Sequence, residues 1–328
     1  MPHSIPSTHA IDAAKTYGDW RDDLLRDGYA VVKGVIPQER CNYYIEKMYE
    51  WVGRFPWGFD RNDRSTWGEE HLPTHMKGGM YHGYRVQHEK FMWEARTEPG
   101  VIETFAKIWG TKDLLVSFDG MNFTLPPGGD HKQIPQTQPW PHIDQDPLRK
   151  GMHCVQGILN FAPNGPKDGG LIVMKGSTNL MAEFFKAYPQ VIGRPTWGTR
   201  DWFGFEESEV QWFEERGCEI VKVCAEPGDV ILWDSRTMHW NCVPETQNIR
   251  AIVYACYTPA SFASPEALQT KAGKYDQRLG TTHWPHDNFY SQEPKPRLGK
   301  VDSQERDRPF EEPEETEMIL KLAGKVAY

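Results

Sequence analysis

The sequence predicts a mainly β protein, an antiparallel sandwich or barrel with flanking helices, and three observations predict it. Short apolar runs recur through the middle of the chain: "DLLVSFDGMNFTLP" (113–126), "GMHCVQGILNFAP" (151–163), "GGLIVMKGS" (169–177), "CEIVKVCAEPGDVILWD" (218–234) and "IRAIVYACYTP" (249–259). Pro-Gly and Gly-Gly turn signals separate them. Helical patterns do not alternate regularly with these runs, which disfavours a parallel sheet built on crossovers.

The elements follow in order. Residues 20–54 read as a short helix, a turn at Asp27-Gly28, a strand "YAVVKGV" and a helix that starts at Pro37. The apolar face of that helix is expected at Cys41, Ile45, Met48 and Trp51 or Val52. From 55 to 95 the chain is rich in Trp, Gly, His and Met and full of breakers, so a long irregular stretch is expected. "NLMAEFFKAYPQ" opens a helical insertion near 178–216 over one end of the barrel, and "SPEALQTKAGKYDQRLG" after residue 260 reads as a helix. The tail is Pro- and charge-rich up to a last short amphipathic helix. These readings give one domain over 1–328, with a core at 20–260 and a helical and irregular extension at 261–328.

Composition excludes several function classes. The chain has 328 residues, 38% of them hydrophobic and 25% charged, with a formal net charge of -9. No Lys/Arg block is dense enough to track phosphates, so nucleic acid is not an expected partner. The first twenty residues lack a cationic segment followed by an apolar run, and no 18-residue apolar stretch occurs, so neither secretion nor membrane spanning is expected. The six cysteines form no C-x-x-C pair and fit free thiols in a reducing, cytoplasmic setting. The expected partner is a small molecule; the oligomeric state stays open, a homodimer included.

The chemistry starts at "QPWPHIDQDPLRK" (138–150). His142 and Asp144 are two apart in an extended, Pro-flanked segment, so imidazole and carboxylate point the same way and converge on one place. "PGDVILWDSRTMHWN" (227–241) supplies a tight turn, a buried strand and then His239. A barrel can bring these distant strands together. Two imidazoles and one carboxylate on one face of an octahedral ion are the facial triad of non-heme Fe(II) oxygenases, which leaves positions open for cosubstrate and O2, whereas Zn(II) favours four-coordinate sites. Arg250 stands inside an otherwise apolar strand and needs an anionic partner. If a 2-oxo acid chelates the iron, Arg250 is placed to hold its far carboxylate.

Taken together, "DGYAVVKGVI" (27–36), "HID" (142–144), "DGGLIVMKGST" (168–178), "PGDVILWDSRTMHW" (227–240) and Arg250 resemble the phytanoyl-CoA dioxygenase family of Fe(II)/2-oxoglutarate oxygenases from about residue 20 to 260. The resemblance implies a double-stranded β-helix, a cupin-like jelly-roll of two facing antiparallel sheets. It implies His142, Asp144 and His239 as catalytic metal ligands, Arg250 as the 2-oxoglutarate anchor, and Asn122 and Gln156 as secondary contacts to that cosubstrate. The chain departs from the family pattern where Pro141 separates Trp140 from His142, where Lys175-Gly176-Ser177-Thr178 ends the Gly-rich strand, and at Asn241, where a hydroxyl residue often helps to hold the cosubstrate. The implied reaction couples conversion of 2-oxoglutarate and O2 to succinate and CO2 with oxidation of a substrate C–H bond. Halogenating relatives carry a small residue at the Asp144 position, so hydroxylation, desaturation, ring expansion or epoxidation is expected here, on a secondary metabolite. Two alternatives share the barrel: a metal-dependent hydrolase or isomerase, and a non-catalytic small-molecule binding protein.

Arg194 in the insertion, Arg236 before His239, and Trp140 are the candidates for substrate contact, the arginines through an acidic group on the substrate. Trp57, Trp67, Trp93, Trp140, Trp202 and Trp212 fall in loops or the insertion, where they either cap core edges or form a water-excluding lid. His71 and His75 straddle Pro73 and read as loop histidines, "HWPH" (283–286) reads as a structural or lid segment, and His153 is unassigned.

Overall fold

The computed structural model describes residues 10–126, 138–194, 201–291 and 293–328. Helix α1 (Trp20–Asp27) starts where the Asp19 carboxylate accepts the Arg21 N–H, and stops at Gly28, left-handed at φ 83°. A residue without Cβ fills that position at least cost. Strand β1 (Tyr29–Val32) leads to α2 (Gln38–Gly53) behind Pro37. Helix α2 buries Cys41, Tyr44, Met48, Trp51 and Val52. Tyr44 takes the inward place expected of Ile45, because its ring packs on Phe161 at 4.8 Å and its hydroxyl donates to Glu98.

The stretch from 55 to 95 is largely irregular and carries the short strand β2 (Met80–Tyr81) before α3 (Lys90–Arg96). Helix α4 (Pro99–Trp109) has no counterpart among the expected elements. The run at 113–126 divides into β3 (Leu114–Val116) and β4 (Met121–Thr124). Then come β5 (His142–Ile143), β6 (Val155–Asn160), β7 (Gly170–Lys175), α5 (Ser177–Ala187), β8 (Phe203–Gly204), α6 (Glu207–Glu214) and β9 (Glu219–Lys222). Strands β10 (Val230–Asp234), β11 (His239–Cys242), β12 (Arg250–Tyr254) and β13 (Tyr257–Pro259) precede α7 (Pro265–Asp276) and α8 (Glu317–Leu322). Residues 195–200 of the expected insertion lie outside the described residues.

The strands form a six-stranded sheet ordered β1-β10-β6-β12-β4-β2, a five-stranded sheet ordered β8-β5-β11-β7-β9, and a β13-β3 pair. The pairings are antiparallel, as in a cupin-like jelly-roll. Alternation sorts the side chains of the larger sheet. Val230, Leu232, Leu159, Ala251 and Val253 turn outward beneath α2 and α4, in one core with Met48, Phe105 and Trp109. Ile231, Trp233, Ile158 and Ile252 turn inward and meet Leu171 and Val173 of the smaller sheet. The same period points Gln156, Arg250 and Tyr254 inward, two residues from Ile158 and Ile252. Helices α5 and α6 cover the outer face of the smaller sheet through Phe184, Trp212 and Phe213.

After α7 the chain returns to the sheets. The Thr281 N–H donates to the Phe118 carbonyl at 2.8 Å, and the His286 ring lies 3.0 Å from the Thr258 hydroxyl. All six cysteines are free thiols.

Two outcomes follow for stability. The Gly28 carbonyl accepts the Thr237 hydroxyl at 2.6 Å, and a Cβ on Gly28 would lie 2.5 Å from Thr178 Oγ1 and 2.6 Å from Thr237 Oγ1. Gly28→Ala should therefore lower the unfolding free energy by about 2 kcal/mol or more in a denaturant titration. Burial also depresses His75, His82, His88, His142, His153 and His286, the last to about 3. Below the ordinary value of 6.5 the unfolded chain takes up protons that the folded chain refuses, so stability falls as pH drops through that range. Glu89, raised to about 7 by burial, works in the opposite sense but is one group against six histidines. The metal-free protein should melt at a lower temperature at pH 5 than at pH 7.

Candidate active site

Strand β5 has two residues and is held from both sides: His142 is the register partner of Gly204 in β8 and of His239 in β11. The two histidines thus face each other across one rung of an antiparallel ladder, with ring centres 4.2 Å apart. Asp144 is fixed by its own N–H, which donates to the Ser235 carbonyl at 2.9 Å. Its carboxylate lies 3.6 Å from His142 Nε2 and 3.1 Å from His239 Nε2. One ligand atom from each residue falls within 4.8 Å of the others.

Backbone carbonyls settle the tautomers. His142 Nδ1 lies 3.1 Å from the Trp140 carbonyl and His239 Nδ1 lies 2.9 Å from the Thr237 carbonyl. A carbonyl only accepts, so each Nδ1 carries a hydrogen and is anchored on its carbonyl, which leaves each Nε2 turned toward Asp144. Burial, assisted by His239, holds His142 below its usual range and therefore neutral. Burial alone would raise the Asp144 carboxyl, but the imidazoles of His142, His283 and His239 favour its charged form and hold it well below the carboxylate range. Two imidazoles anchored through Nδ1 and one carboxylate, brought together at Nε2 and the carboxylate oxygens, fit a divalent ion that keeps other positions free.

The triad opens into a cavity of about 270 Å³. Arg250, 8% exposed at the head of β12, borders it. No carboxylate pairs with Arg250 among the described residues, and its Nε has no hydrogen-bond partner there. A Cβ on Gly170 would lie 3.1 Å from that Nε, so glycine leaves the guanidinium its room. An unpaired inward guanidinium fits the far carboxylate of a 2-oxo acid.

The other candidates divide. Asn241 and Trp140 border the cavity. Gln156 borders it too, but its amide donates to Asp144 Oδ2 at 2.9 Å, so it orients the carboxylate of the triad. Asn122 is buried and accepts the Thr124 hydroxyl at 2.9 Å; it is not among the residues that border the cavity. The structure corrects the two arginines. Arg194 is bound to Glu209 at 2.9 and 2.5 Å, and Arg236 folds back on Asp234 at 3.0 and 2.6 Å. Both guanidinium groups have internal partners and neither borders the cavity.

Of the tryptophans, Trp140 stacks on His142 at 4.3 Å and 9°, with Trp202 at 5.8 Å from the same ring. Trp67, Trp93 and Trp212 are core residues, and Trp57 stacks on Phe55. His71 lies 2.6 Å from the Trp57 carbonyl, and His153 lies 3.0 Å from that of Lys150. Sequence reasoning missed Trp233 and Trp240, which border the cavity from strand positions, and Lys77, His82 and Asp119, which reach it from loops; His283, in the segment read as structural or lid, borders it too. Lys77 Nζ lies 3.3 Å from the centre of the Trp140 ring, on a residue that also faces solvent.

The family model described as phytanoyl-CoA dioxygenase (PhyH) matches residues 24–240. The chain is 47% identical over 272 residues to Ava biosynthesis cluster protein O of Aspergillus versicolor, covering 82% of this chain and 87% of that protein. The epimerase SnoN, solved with Fe3+, alpha ketoglutarate and nogalamycin RO, is similar in fold at a TM-score of 0.51 and 14% identity, covering 87% of this chain and 96% of that one. EctD from S. alaskensis, in its apoform, matches at a TM-score of 0.51 and 16% identity over 92% of this chain and 93% of that one. At such identities the two structures speak to the fold alone.

Gln156→Leu removes the donor to Asp144 and leaves the ligands in place, so the affinity for Co(II), read by its d–d absorption, should fall roughly 10- to 100-fold.

Proposed function

Because the chain belongs to the phytanoyl-CoA dioxygenase family, we propose that it is an Fe(II)- and 2-oxoglutarate-dependent dioxygenase that oxidises a small organic molecule of secondary metabolism. The observation that carries this reading is the convergence of His142, Asp144 and His239 within 4.8 Å on a cavity that Arg250 also borders. Bound iron, 2-oxoglutarate and O2 supply the power to take hydrogen from an unactivated C–H bond. The chain's residues do the rest. His142 and His239 offer Nε2, with Nδ1 held on carbonyls; Asp144 offers a carboxylate steadied by Gln156; Arg250 holds the cosubstrate's far end. Trp140, Trp233 and Trp240 line the cavity and exclude water from the reacting centre.

The biosynthesis-cluster name of the 47% identical relative supports a secondary metabolite as substrate. Asp144, seated between the two imidazoles, fills the position that halogenating relatives leave small, which supports hydroxylation or a related C–H oxidation such as ring expansion or desaturation. Among the described residues no helix is long and apolar enough to cross a membrane.

The test is consumption of 2-oxoglutarate. With Fe(II) and O2 the protein should form succinate, which a metal-dependent hydrolase or isomerase on the same barrel would not. Arg250→Ala should raise the 2-oxoglutarate requirement roughly 30- to 100-fold, the effect of losing charge-assisted bonds to a carboxylate, while the Fe(II) requirement stays near that of the native protein. An unchanged 2-oxoglutarate requirement in Arg250→Ala would contradict the anchoring role.

A further inference from the structure

The polar side chains around the cavity can be sorted by whether they already have partners inside the protein. His142, Asp144 and His239 face the metal, Gln156 donates to Asp144, and Arg250 faces the cosubstrate. Asp201 is bound by Arg149 at 2.9 Å, and His82 lies 3.7 Å from Asp119. The Thr281 and Thr282 hydroxyls donate to the carbonyls of Thr282 and Asn288 at 3.1 and 2.8 Å. Of the remaining groups without an internal partner, which include the buried Trp233 Nε1, two are basic side chains. Lys77 has no salt-bridge partner within 4 Å among the described residues and lies over the face of Trp140. His283 Nε2 is buried and has no hydrogen-bond partner there.

The backbone holds both in place. Lys77 is left-handed at φ 49°, followed by Gly78 at 75° and Gly79 at 144°. A Cβ at residue 79 would lie 2.7 Å from the Phe123 carbonyl oxygen, so this turn is pressed against β4. A lysine kept in that conformation and laid over an indole is positioned rather than loose. His283 comes from the C-terminal segment, beyond the residues the family model matches. Arg149 latches that segment to the barrel by bonding Asp287 at 2.7 Å and Asp201 at 2.9 Å.

We propose that Lys77 and His283 form the substrate's docking group, and that the substrate is a small aromatic or apolar molecule carrying an anionic oxygen, as in a carboxylate, enolate or phenolate. Its oxygen lies on Lys77 and His283, and its body lies against Trp140, Trp233 and Trp240, the indoles that border the same cavity. A fixed anion at one end decides which C–H bond faces the metal. This deepens the oxygenase reading and rests on it. The acid partner sought at Arg194 and Arg236 is thereby found on a loop lysine instead.

The test uses the full chain loaded anaerobically with Fe(II) and 2-oxoglutarate, whose charge-transfer absorption shifts when a molecule enters the cavity. The probes are indole-3-acetate and its uncharged analogue indole-3-acetamide. The acid should bind about tenfold or more tightly than the amide. Lys77→Met should abolish that preference, Lys77→Arg should retain it, and His283→Phe should weaken the acid more than the amide. Equal affinity for the two probes, a preference that survives Lys77→Met, or no binding of the acid up to about 10 mM would each overturn the proposal. If the charge-transfer band does not form when 2-oxoglutarate is added, the oxygenase reading itself fails; a band without acid preference sinks only the docking group.

Discussion

The rung that pairs His142 with His239 is the interaction on which the rest of the site depends. Strand β5 has no length of its own to set its register, so β8 on one side and β11 on the other must set it. A slip of one residue would turn His142 to the opposite face and bring Ile143 to the metal side. Several contacts prevent the slip. The Asp144 N–H is tied to Ser235, the Met238 N–H to the Ser177 hydroxyl at 3.0 Å, and His142 is stacked on Trp140. The jelly-roll is a means of holding that rung. Its larger sheet gives β11 a fixed partner across the core, and the helices cover both outer faces.

Burial of the triad has an electrostatic consequence. A carboxylate held ionised beside two carbonyl-anchored imidazoles is suited to a dication. The low dielectric that would make a lone buried carboxylate costly strengthens its attraction to the metal. Gln156 and the two carbonyls that take the Nδ1 hydrogens prevent the ligands from turning to other partners. Arg250 is a second buried charge awaiting an anion. The triad and Arg250 therefore border one cavity, an arrangement that suits a bidentate cosubstrate with a carboxylate at its far end.

Much of this was legible in the residues. Apolar runs between Pro-Gly and Gly-Gly turns announced the antiparallel sheets, and the i, i+2 spacing of His142 and Asp144 announced that their side chains share one face. Helix α4 was legible too, since Pro99 stands at its first position and left-handed Gly110 just past its end, but the strand pattern drew attention away from it. Arg236 carried its own warning: Asp234 is two residues before it, and that local pair closes in the fold. Arg194 gave none, because Glu209 approaches only when α6 folds back. Lys77 and His283 could not be read from spacing at all. Their roles come from loops far apart in sequence that meet at one cavity, and from which neighbours happen to be engaged elsewhere.

The most direct measurement is a crystal structure of the full chain grown anaerobically with Fe(II) and 2-oxoglutarate. The account predicts iron at about 2.0–2.2 Å from His142 Nε2, His239 Nε2 and an Asp144 oxygen, with 2-oxoglutarate chelating it and its far carboxylate on Arg250. Iron bound elsewhere, a fourth protein ligand closing the coordination sphere, or a cosubstrate carboxylate turned away from Arg250 would contradict it.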